Sequence, residues 1–272
     1  MPIMIGLAAK ARSGKDTVAA MLLEHPEVAA YALADPLKEG CQALFGLTDR
    51  ETWSDEAKEL TITDWAMSPR QMFQRAGTEW LRDHTANHWL MRAERQLNQP
   101  PSSTIDSSKL YKELSHSDAA IWLAVKAFWG LSDKQTWDES ERYQKDSFWR
   151  HSPIEMFSII RAYIDRDLPT YDQTRSMLVT SRPITTPPSK HPNLLGKTVL
   201  IIKDIRFENE AEYLRSHNGT IWHIARTSAE KVHSHSSEAG ISFNPLDIHI
   251  DNNGTIESLR LKVDEGWSRL RV

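Results

Sequence analysis

Cysteine is almost absent from this sequence, which has only Cys41 among its 272 residues. A single cysteine cannot form a disulfide within the chain, and it cannot supply the paired thiolates of a cysteine-based zinc site. The sequence therefore favours a reducing compartment, and we expect the protein to act in the cytoplasm.

Long hydrophobic runs and an excess of basic charge are also missing. The N-terminal apolar run, Ile3 to Ala9, is interrupted by Lys10 and Arg12 and is too short for a signal peptide or a membrane span. Lys and Arg number 33 against 37 Asp and Glu, which provides no broad basic surface for duplex DNA or anionic lipid. We expect neither nucleic acid nor membrane as a partner, and any phosphate recognition must be local.

Tryptophan, in contrast, is plentiful, and most copies fall in one region that contains an internal repeat. Eight of the ten tryptophans lie between Trp53 and Trp149. LFGLTDRETW, which begins at Leu44, matches FWGLSDKQTW, which begins at Phe128, at five of ten positions. The same offset of 84 residues aligns the later segments that begin at Ser68 and Ser152. We interpret this pattern as a duplicated helical subdomain.

Local signals predict where the helices of the repeat begin. Ser68 and Ser152 each precede a proline, and Gln71 and Glu155 are placed to complete capping boxes. Proline- and serine-rich segments enclose the second copy. We therefore predict three parts: a nucleotide-binding core from residues 1–40 and 196–272, a helical acceptor lobe at 41–97, and a helical insertion at 98–195 that is a degenerate repeat of 44–83.

Outside the insertion, short apolar runs alternate with helical patterns, which is typical of a parallel sheet covered by helices. The predicted strands are Ile3–Ala8, Tyr31–Leu33, Val199–Ile202, Thr220–Ala225 and Asp247–Ile250.

The first strand leads into AKARSGKDT, Ala9 to Thr17, and then into an amphipathic helix, as in a phosphate-binding loop. Gly14 allows close backbone approach and Lys15 can reach terminal phosphates. The motif departs from the usual one at two positions: Ala9 replaces its first glycine and Asp16 replaces its Ser or Thr. Either Asp16 or Thr17 could face a Mg²⁺ ion.

Several motifs occur in a fixed order at both ends of the chain: RSGKDT (12–17), ADPLKE (34–39), SPRQMFQRAGTEWLRD (68–83), KDIRFENEAEYLRSHNGTIWHIAR (203–226), HSSEAGI (235–241) and DNNGTIESL (251–259). Together they resemble the bacteriophage deoxynucleoside monophosphate kinases, a branch of the P-loop kinases. The resemblance does not extend to residues 98–197. It implies a three-layer α/β P-loop kinase fold, with a parallel sheet, a helical acceptor-binding lobe and an inserted helical repeat.

The resemblance also implies a site for MgATP. Lys15 would hold the ATP phosphates, and Asp16 or Thr17 would face Mg²⁺. Arg226 would begin a lid. The residues implied in ATP binding are Arg12, Ser13, Gly14, Lys15, Asp16, Thr17 and Arg226.

A second set of residues matches the family's acceptor positions. Lys38 and Arg70 would meet the acceptor phosphate, and Gln74 could read a base edge. The implied substrate-binding residues are Lys38, Arg70, Gln74, Gly77, Thr78, Glu79, Arg82, Asp204 and Glu210, and the implied catalytic cations are Lys15, Arg70 and Arg206.

The second copy of the repeat keeps packing residues but not this acceptor set. Ile154, Ser158 and Arg161 stand where the first copy has Arg70, Gln74 and Gly77. We predict that the second copy supplies no catalytic group. One hypothesis is that the second copy forms a subunit interface, which would make the protein a homodimer.

We interpret the chain as an ATP-dependent kinase of deoxynucleoside monophosphates. One alternative is a P-loop kinase for another small acceptor, such as dephospho-coenzyme A, with Asp35 as the base. Another is a nucleotide-binding assembly protein without kinase activity. The sequence does not choose the accepted base or distinguish deoxy from ribo substrates.

Overall fold

The computed structural model describes residues 3–10, 12–98, 114–187, 196–227 and 241–270. These residues belong to two compact units. One comprises the described residues of Met1–Leu33 and His191–Val272, and the other comprises those of Ala34–Lys190. The predicted division of the helical part into residues 41–97 and 98–195 stays a prediction. None of the helices in the described ranges is long and apolar enough to cross a membrane.

The first unit contains a five-stranded parallel sheet. Its strands are β1 (Ile3–Ala9), β2 (Val28–Ala32), β3 (Val199–Lys203), β4 (Thr220–Ala225) and β5 (Ile248–Asp251). Their order is β2-β3-β1-β4-β5. The five predicted strands are all present. Strand β2 begins at Val28 instead of Tyr31, because the buried residues Val28 and Ala29 pair with β3 as well.

Helices cover both faces of this sheet, which confirms the predicted α/β class. Alternate residues of a strand point to opposite faces. Ile5 and Leu7 share a core with helices α1 (Lys15–Leu22) and α12 (Ile256–Arg269). Gly6, on the other face, lies against Leu214 of α11 (Glu208–Ser216), where a Cβ at Gly6 would be 2.5 Å from the leucine Cδ1. The sheet is therefore the middle of three layers.

The second unit is helical, and its two halves have corresponding elements. The first half contains α2 (Asp35–Phe45), α3 (Asp49–Trp53), α4 (Pro69–Gln74), a π-helical segment (Arg75–Arg82) and α5 (His88–Asn98). The second contains α6 (Ala119–Trp129), α7 (Asp133–Trp137), α8 (Glu139–Arg142), α9 (Pro153–Asp167) and α10 (Tyr171–Leu178).

The 84-residue offset applies to backbone details as well as to sequence. Helices α2 and α6 end at Gly46 and Gly130, which both have a φ of 66°. The indole of Trp65 donates to the carbonyl of Phe45 at 3.0 Å, and that of Trp149 donates to the carbonyl of Trp129 at 2.8 Å. The predicted capping boxes at Ser68 and Ser152 are confirmed.

Each half supplies hydrogen-bond partners for the end of the other half's first helix. The last carbonyls of a helix lack partners within that helix. The Tyr171 hydroxyl donates to Leu44 O at 2.8 Å, while His88 Nε2 lies 3.1 Å from Phe128 O, the equivalent carbonyl. At the next equivalent pair, Arg182 donates to Gly46 O and Arg95 donates to Gly130 O. The C-terminal parts of the two halves are thus exchanged.

Glu51 joins this exchange to the N-terminus of α3. Its carboxylate accepts two hydrogen bonds from the Arg182 guanidinium, at 2.8 and 2.9 Å, and one from the Thr48 backbone at 2.7 Å. Partial burial raises the pKa of Glu51, but the bonds from Arg182 and Thr48 outweigh it and lower the pKa to about 2. The folded protein therefore favours ionised Glu51.

We expect Glu51 to contribute to acid sensitivity. Because its pKa falls from 4.5 to about 2 on folding, its stabilising effect is present above pH 4.5 and is lost as the pH falls toward 2. Glu51→Gln should lower the thermal midpoint at pH 7 and flatten its dependence on pH between these limits. Thermal unfolding at a series of pH values measures this, with exposed Glu56→Gln as the control. If the thermal midpoint of Glu51→Gln depended on pH as steeply as that of the wild type, Glu51 would not be a source of the acid sensitivity.

Candidate functional site

The predicted phosphate-binding loop connects β1 to α1 at the carboxyl edge of the sheet. Arg12 and Gly14 both have a left-handed backbone, with φ of 62° and 94°. Gly14 is the N-cap of α1 and makes no side-chain cap, so the first amides of the helix are not capped by it. Such a helix N-terminus is suited to anionic oxygens. Ser13, between the two left-handed residues, is buried.

Three side chains follow Gly14 on the first turn of α1. Lys15 Nζ lies 3.4 Å from the carboxylate of Asp16, whose side chain is 77% exposed. This surface pair is weak, since solvent screens it. Thr17 is exposed as well. Asp16 and Thr17 offer hard oxygen ligands, which Mg²⁺ prefers, and Mg²⁺ commonly takes one or two protein ligands together with phosphate oxygens. These residues therefore fit the ion.

Asn252, which follows β5, holds the phosphate-binding loop by a hydrogen bond. Its Nδ2 donates to Ser13 O at 2.9 Å, and its backbone amide donates to Ala225 O at 2.7 Å. A Cβ on Gly14 would lie 2.3 Å from Asn252 Nδ2. Sequence reasoning assigned no role to Asn252, although the DNNGTIESL motif that contains it was a signal for this contact.

Asp204 and Arg206 follow β3 at the same edge, since β1 and β3 are adjacent and parallel. Asp204 has a φ of 66°, a left-handed conformation that aspartate adopts more readily than most residues with a Cβ. Its carboxylate lies 2.5 Å from Arg206 Nη2. The backbone amide of Ile205 donates to Leu7 O, which ties this turn to β1. Ligands of open parallel sheets bind at this edge.

Glu210 and Arg226 occupy different surroundings at this edge. Glu210 is buried, and its carboxylate accepts from the amides of Arg206 at 2.9 Å and Phe207 at 3.2 Å. The observed contacts of Glu210 hold the backbone beside Arg206, and its contact with substrate stays a prediction. Arg226 is exposed just after β4. Residues 235–240 of the HSSEAGI motif lie outside the described residues.

Seven of the nine predicted substrate-binding residues lie in the helical unit, and Asp204 and Glu210 lie in the sheet unit. Lys38, on α2, places its ammonium 4.8 Å from the centre of a Trp53 ring. Arg70, at the start of α4, pairs with Glu59, with Nε 2.6 Å from the carboxylate. Both members of that pair are about half exposed. Arg70 can exchange this partner for another anion at little cost.

The other acceptor candidates are concentrated on the π-helical segment Arg75–Arg82. Gly77 lies on its buried side, where a Cβ would be 2.6 Å from Leu37 Cδ2, and its carbonyl accepts from the Trp89 indole at 3.0 Å. Thr78 and Glu79 are exposed, as is Gln74 just before the segment. Arg82, half-buried, is its last residue. π-helical turns are rare and often occur at functional sites.

The equivalent helix of the second half, α9, is a regular α-helix. Two of the residues that replace the acceptor set, Ser158 and Arg161, bond to other residues of the helical unit. Ser158 donates to the carbonyl of Ile154 at 2.8 Å. Arg161 pairs with Asp165 at 3.0 Å and also with Asp172. All the partners in these contacts lie in the helical unit. They are consistent with a structural role.

Gly14 has a matched control in Gly196. Both have positive φ, 94° and 74°, so alanine costs about 1 kcal/mol of backbone strain at either position. A Cβ at Gly14 also collides with Asn252, whereas none of the described residues has an atom within 4 Å of a Cβ at Gly196. Gly14→Ala should therefore lower the free energy of unfolding more than Gly196→Ala. Urea denaturation measures both, and equal losses would exclude the role of Asn252.

Comparison with known proteins agrees with the resemblance. The family model of deoxynucleotide monophosphate kinase matches residues 3–66 and 190–263, just over half of the chain. A putative deoxynucleotide monophosphate kinase of Acanthamoeba polyphaga mimivirus is 38% identical over 87 residues, which is 31% of this chain and 45% of the relative. The deoxynucleotide monophosphate kinase of Escherichia phage RB69 is 31% identical over 65 residues, which is 24% of this chain and 27% of that protein.

The matched region thus spans less than half the length of either relative. The family model nevertheless covers the phosphate-binding loop, α2 and the carboxyl edge of the sheet as far as α12. The chain therefore belongs to the deoxynucleotide monophosphate kinase family.

Proposed function

We propose that this protein transfers the terminal phosphoryl group of ATP to a deoxynucleoside monophosphate, which yields ADP and a deoxynucleoside diphosphate. The observation that carries the proposal is the Gly14–Lys15 loop at the carboxyl edge of a parallel sheet, in a member of this kinase family. The same membership favours a nucleotide acceptor over dephospho-coenzyme A and over a non-catalytic module. Because both relatives are viral, we expect the reaction to take place in the host cytoplasm.

ATP is the proposed donor, and residues Arg12 to Thr17 are its proposed site. Loop amides and the Lys15 ammonium would hold its phosphates, and Arg226 would close over it. Asp16 or Thr17 would hold Mg²⁺. When bound, Mg²⁺ supplies positive charge that neutralises the phosphate oxygens.

The helical unit is proposed to bind the acceptor. Lys38, Arg70 and Arg82 supply cations for its phosphate, and arginine suits this role because its planar guanidinium binds two phosphate oxygens at once. Gln74, Thr78 and Glu79 are exposed polar groups that can contact base or sugar. Gly77 would contribute to the same acceptor site. Asp204 and Glu210, in the sheet unit, are proposed substrate contacts through the turn after β3.

The chemistry asks for positioning and positive charge more than for proton transfer. The phosphate acceptor is already anionic at neutral pH, so no general base is required. Negative charge spreads over the transferred group, and cations placed beside it lower the barrier. Lys15, Arg70 and Arg206 are the proposed cations. Water must be excluded, since otherwise ATP would be hydrolysed.

A coupled assay of ADP release, run with each common nucleoside monophosphate in turn, tests the proposal and measures base and sugar preference. We expect ADP release to depend on a deoxynucleoside monophosphate. Binding of ATP without acceptor-dependent release would identify a nucleotide-binding module instead.

Lys15→Ala should remove most of the transfer rate, because its charge is needed where negative charge develops in the transition state. Arg269→Ala, which removes an exposed cation paired with Glu265 on α12, is the control and should leave the rate unchanged. Activity of Lys15→Ala within a few fold of wild type would exclude the proposed phosphate-binding role.

Arg70→Ala should lower kcat/KM for the acceptor. The expected loss of transition-state stabilisation is roughly 2–4 kcal/mol, the order of a charge-assisted contact left unmade. The KM for ATP should barely change. Glu59→Gln removes the partner of Arg70 in the absence of substrate and should not weaken acceptor binding. Steady-state kinetics of both variants decides the assignment. A loss in ATP binding alone would place Arg70 in the donor site.

A further inference from the structure

Trp80 lies in the middle of the π-helical segment and makes its polar contact with the second half of the helical unit. Its ring is fully buried. The indole Nε1 donates to Asp167 Oδ2 at 2.7 Å. The ring also stacks on Tyr163, with ring centres 5.8 Å apart and an angle of 6° between the planes. Asp167 and Tyr163 both belong to α9. Trp80 therefore makes both a hydrogen bond and a ring contact between the acceptor segment and the second half.

The carboxylate that receives this bond is held in place. Arg166 donates to both oxygens of Asp167, at 2.7 and 2.8 Å, and its guanidinium lies 4.9 Å from the Tyr163 ring centre. Arg166 is itself mostly exposed, whereas the Asp167 side chain is only 20% exposed. A hydrogen bond to a charged acceptor is stronger than a neutral one, and more so away from solvent.

The contact has no counterpart in the opposite direction. The residue equivalent to Trp80 is Ile164, which is buried but has no donor. Asp83, the equivalent of Asp167, therefore accepts no indole hydrogen bond from that position. Although the two halves cap each other reciprocally, this bond runs only from the first half to the second. It coincides with the other difference between the halves, a π-helical segment in one and a regular helix in the other.

We propose that Asp167 is a positioning residue for acceptor binding, acting through Trp80 to hold the π-helical segment Arg75–Arg82 in register. The inference rests on the proposed function, since this segment carries Gly77, Thr78, Glu79 and Arg82. Asp167 does not touch the acceptor in this scheme. Its role is to fix the backbone of the segment whose residues contact the acceptor.

The physical reason is the low stability of π-helical turns. Such a turn holds one more residue than an α-helical turn, and it persists where outside contacts fix it. If it relaxed to regular α-helix, residues on one side would rotate by about 100° relative to those on the other, because a helix turns once in about 3.6 residues. Gln74 precedes the segment and Arg82 ends it, so this change would turn their side chains relative to one another. The Trp80–Asp167 bond opposes this change.

Asp167→Leu removes the acceptor of the indole proton, and Asp167→Asn keeps an amide oxygen in its place. We expect Asp167→Leu to raise the acceptor KM about tenfold, the order of one unmade hydrogen bond to a charged group, with the KM for ATP unchanged. Asp167→Asn should restore most of the loss. Hydrogen exchange at residues 75–82 should accelerate in Asp167→Leu.

A variant on the same helix serves as the control. Asp165→Leu removes a carboxylate that pairs with Arg161 and should leave the acceptor KM unchanged. If Asp165→Leu changed the acceptor KM as much as Asp167→Leu does, the specific role of Asp167 would be excluded. Arg166→Ala removes the cation beside Asp167 but keeps the carboxylate that accepts from Trp80, so its effect should be smaller, with kcat/KM within about threefold.

Trp80→Phe provides a second route, since it keeps an aromatic ring and removes the donor. It should raise the acceptor KM as Asp167→Leu does, and the double variant should be no worse than either single one. A normal acceptor KM in folded Trp80→Phe would overturn the inference. If the wild type phosphorylates no nucleotide, the proposed function fails, but hydrogen exchange still decides the role of Asp167: unchanged exchange at residues 75–82 overturns it.

Discussion

The helical unit depends on one close approach, between α2 and α6. A Cβ on Gly40 of α2 would lie 2.2 Å from Cε1 of Phe128, so only glycine admits the ring at that point. One turn earlier on the same helix, Leu37 contacts Gly77 of the π-helical segment, where again no Cβ fits without movement. Lys38 lies between these two contacts. The position of a proposed phosphate-binding cation is therefore set by packing that includes the second half.

In the sheet unit the corresponding constraint is topological. Parallel strands end at one edge, so the loops after β1, β3, β4 and β5 must gather there. Left-handed backbone at Gly14 and Asp204 allows the chain to turn within a few residues of the strands. Asn252 then joins the loop after β5 to the loop after β1. Strain at these turns is offset by hydrogen bonds from neighbouring loops.

Local patterns were enough to predict the five strands and the helix starts at Ser68 and Ser152, because each depends on residues close in sequence. The register of the repeat came from direct alignment of the two copies. The π-helical segment was not predicted, since its sequence follows a helix start and carries no pattern specific to a π-helical turn, and the aligned segment of the second half forms a regular α-helix. The exchange of Tyr171 and His88 was missed for a different reason. It joins residues 127 and 40 positions apart, and such contacts leave no periodic trace.

The second half lacks the residues of the proposed acceptor set, yet it makes contacts that support the first half. Ile154, Ser158 and Arg161 replace the acceptor set, and their contacts are now internal. The second half nevertheless supplies the donors for Leu44 O and Gly46 O at the end of α2. Removing it would leave these carbonyls without those partners and would uncover the α2 face around Gly40, each at a cost comparable to a lost core contact. These contacts give the second half a structural role that does not depend on its taking part in the chemistry.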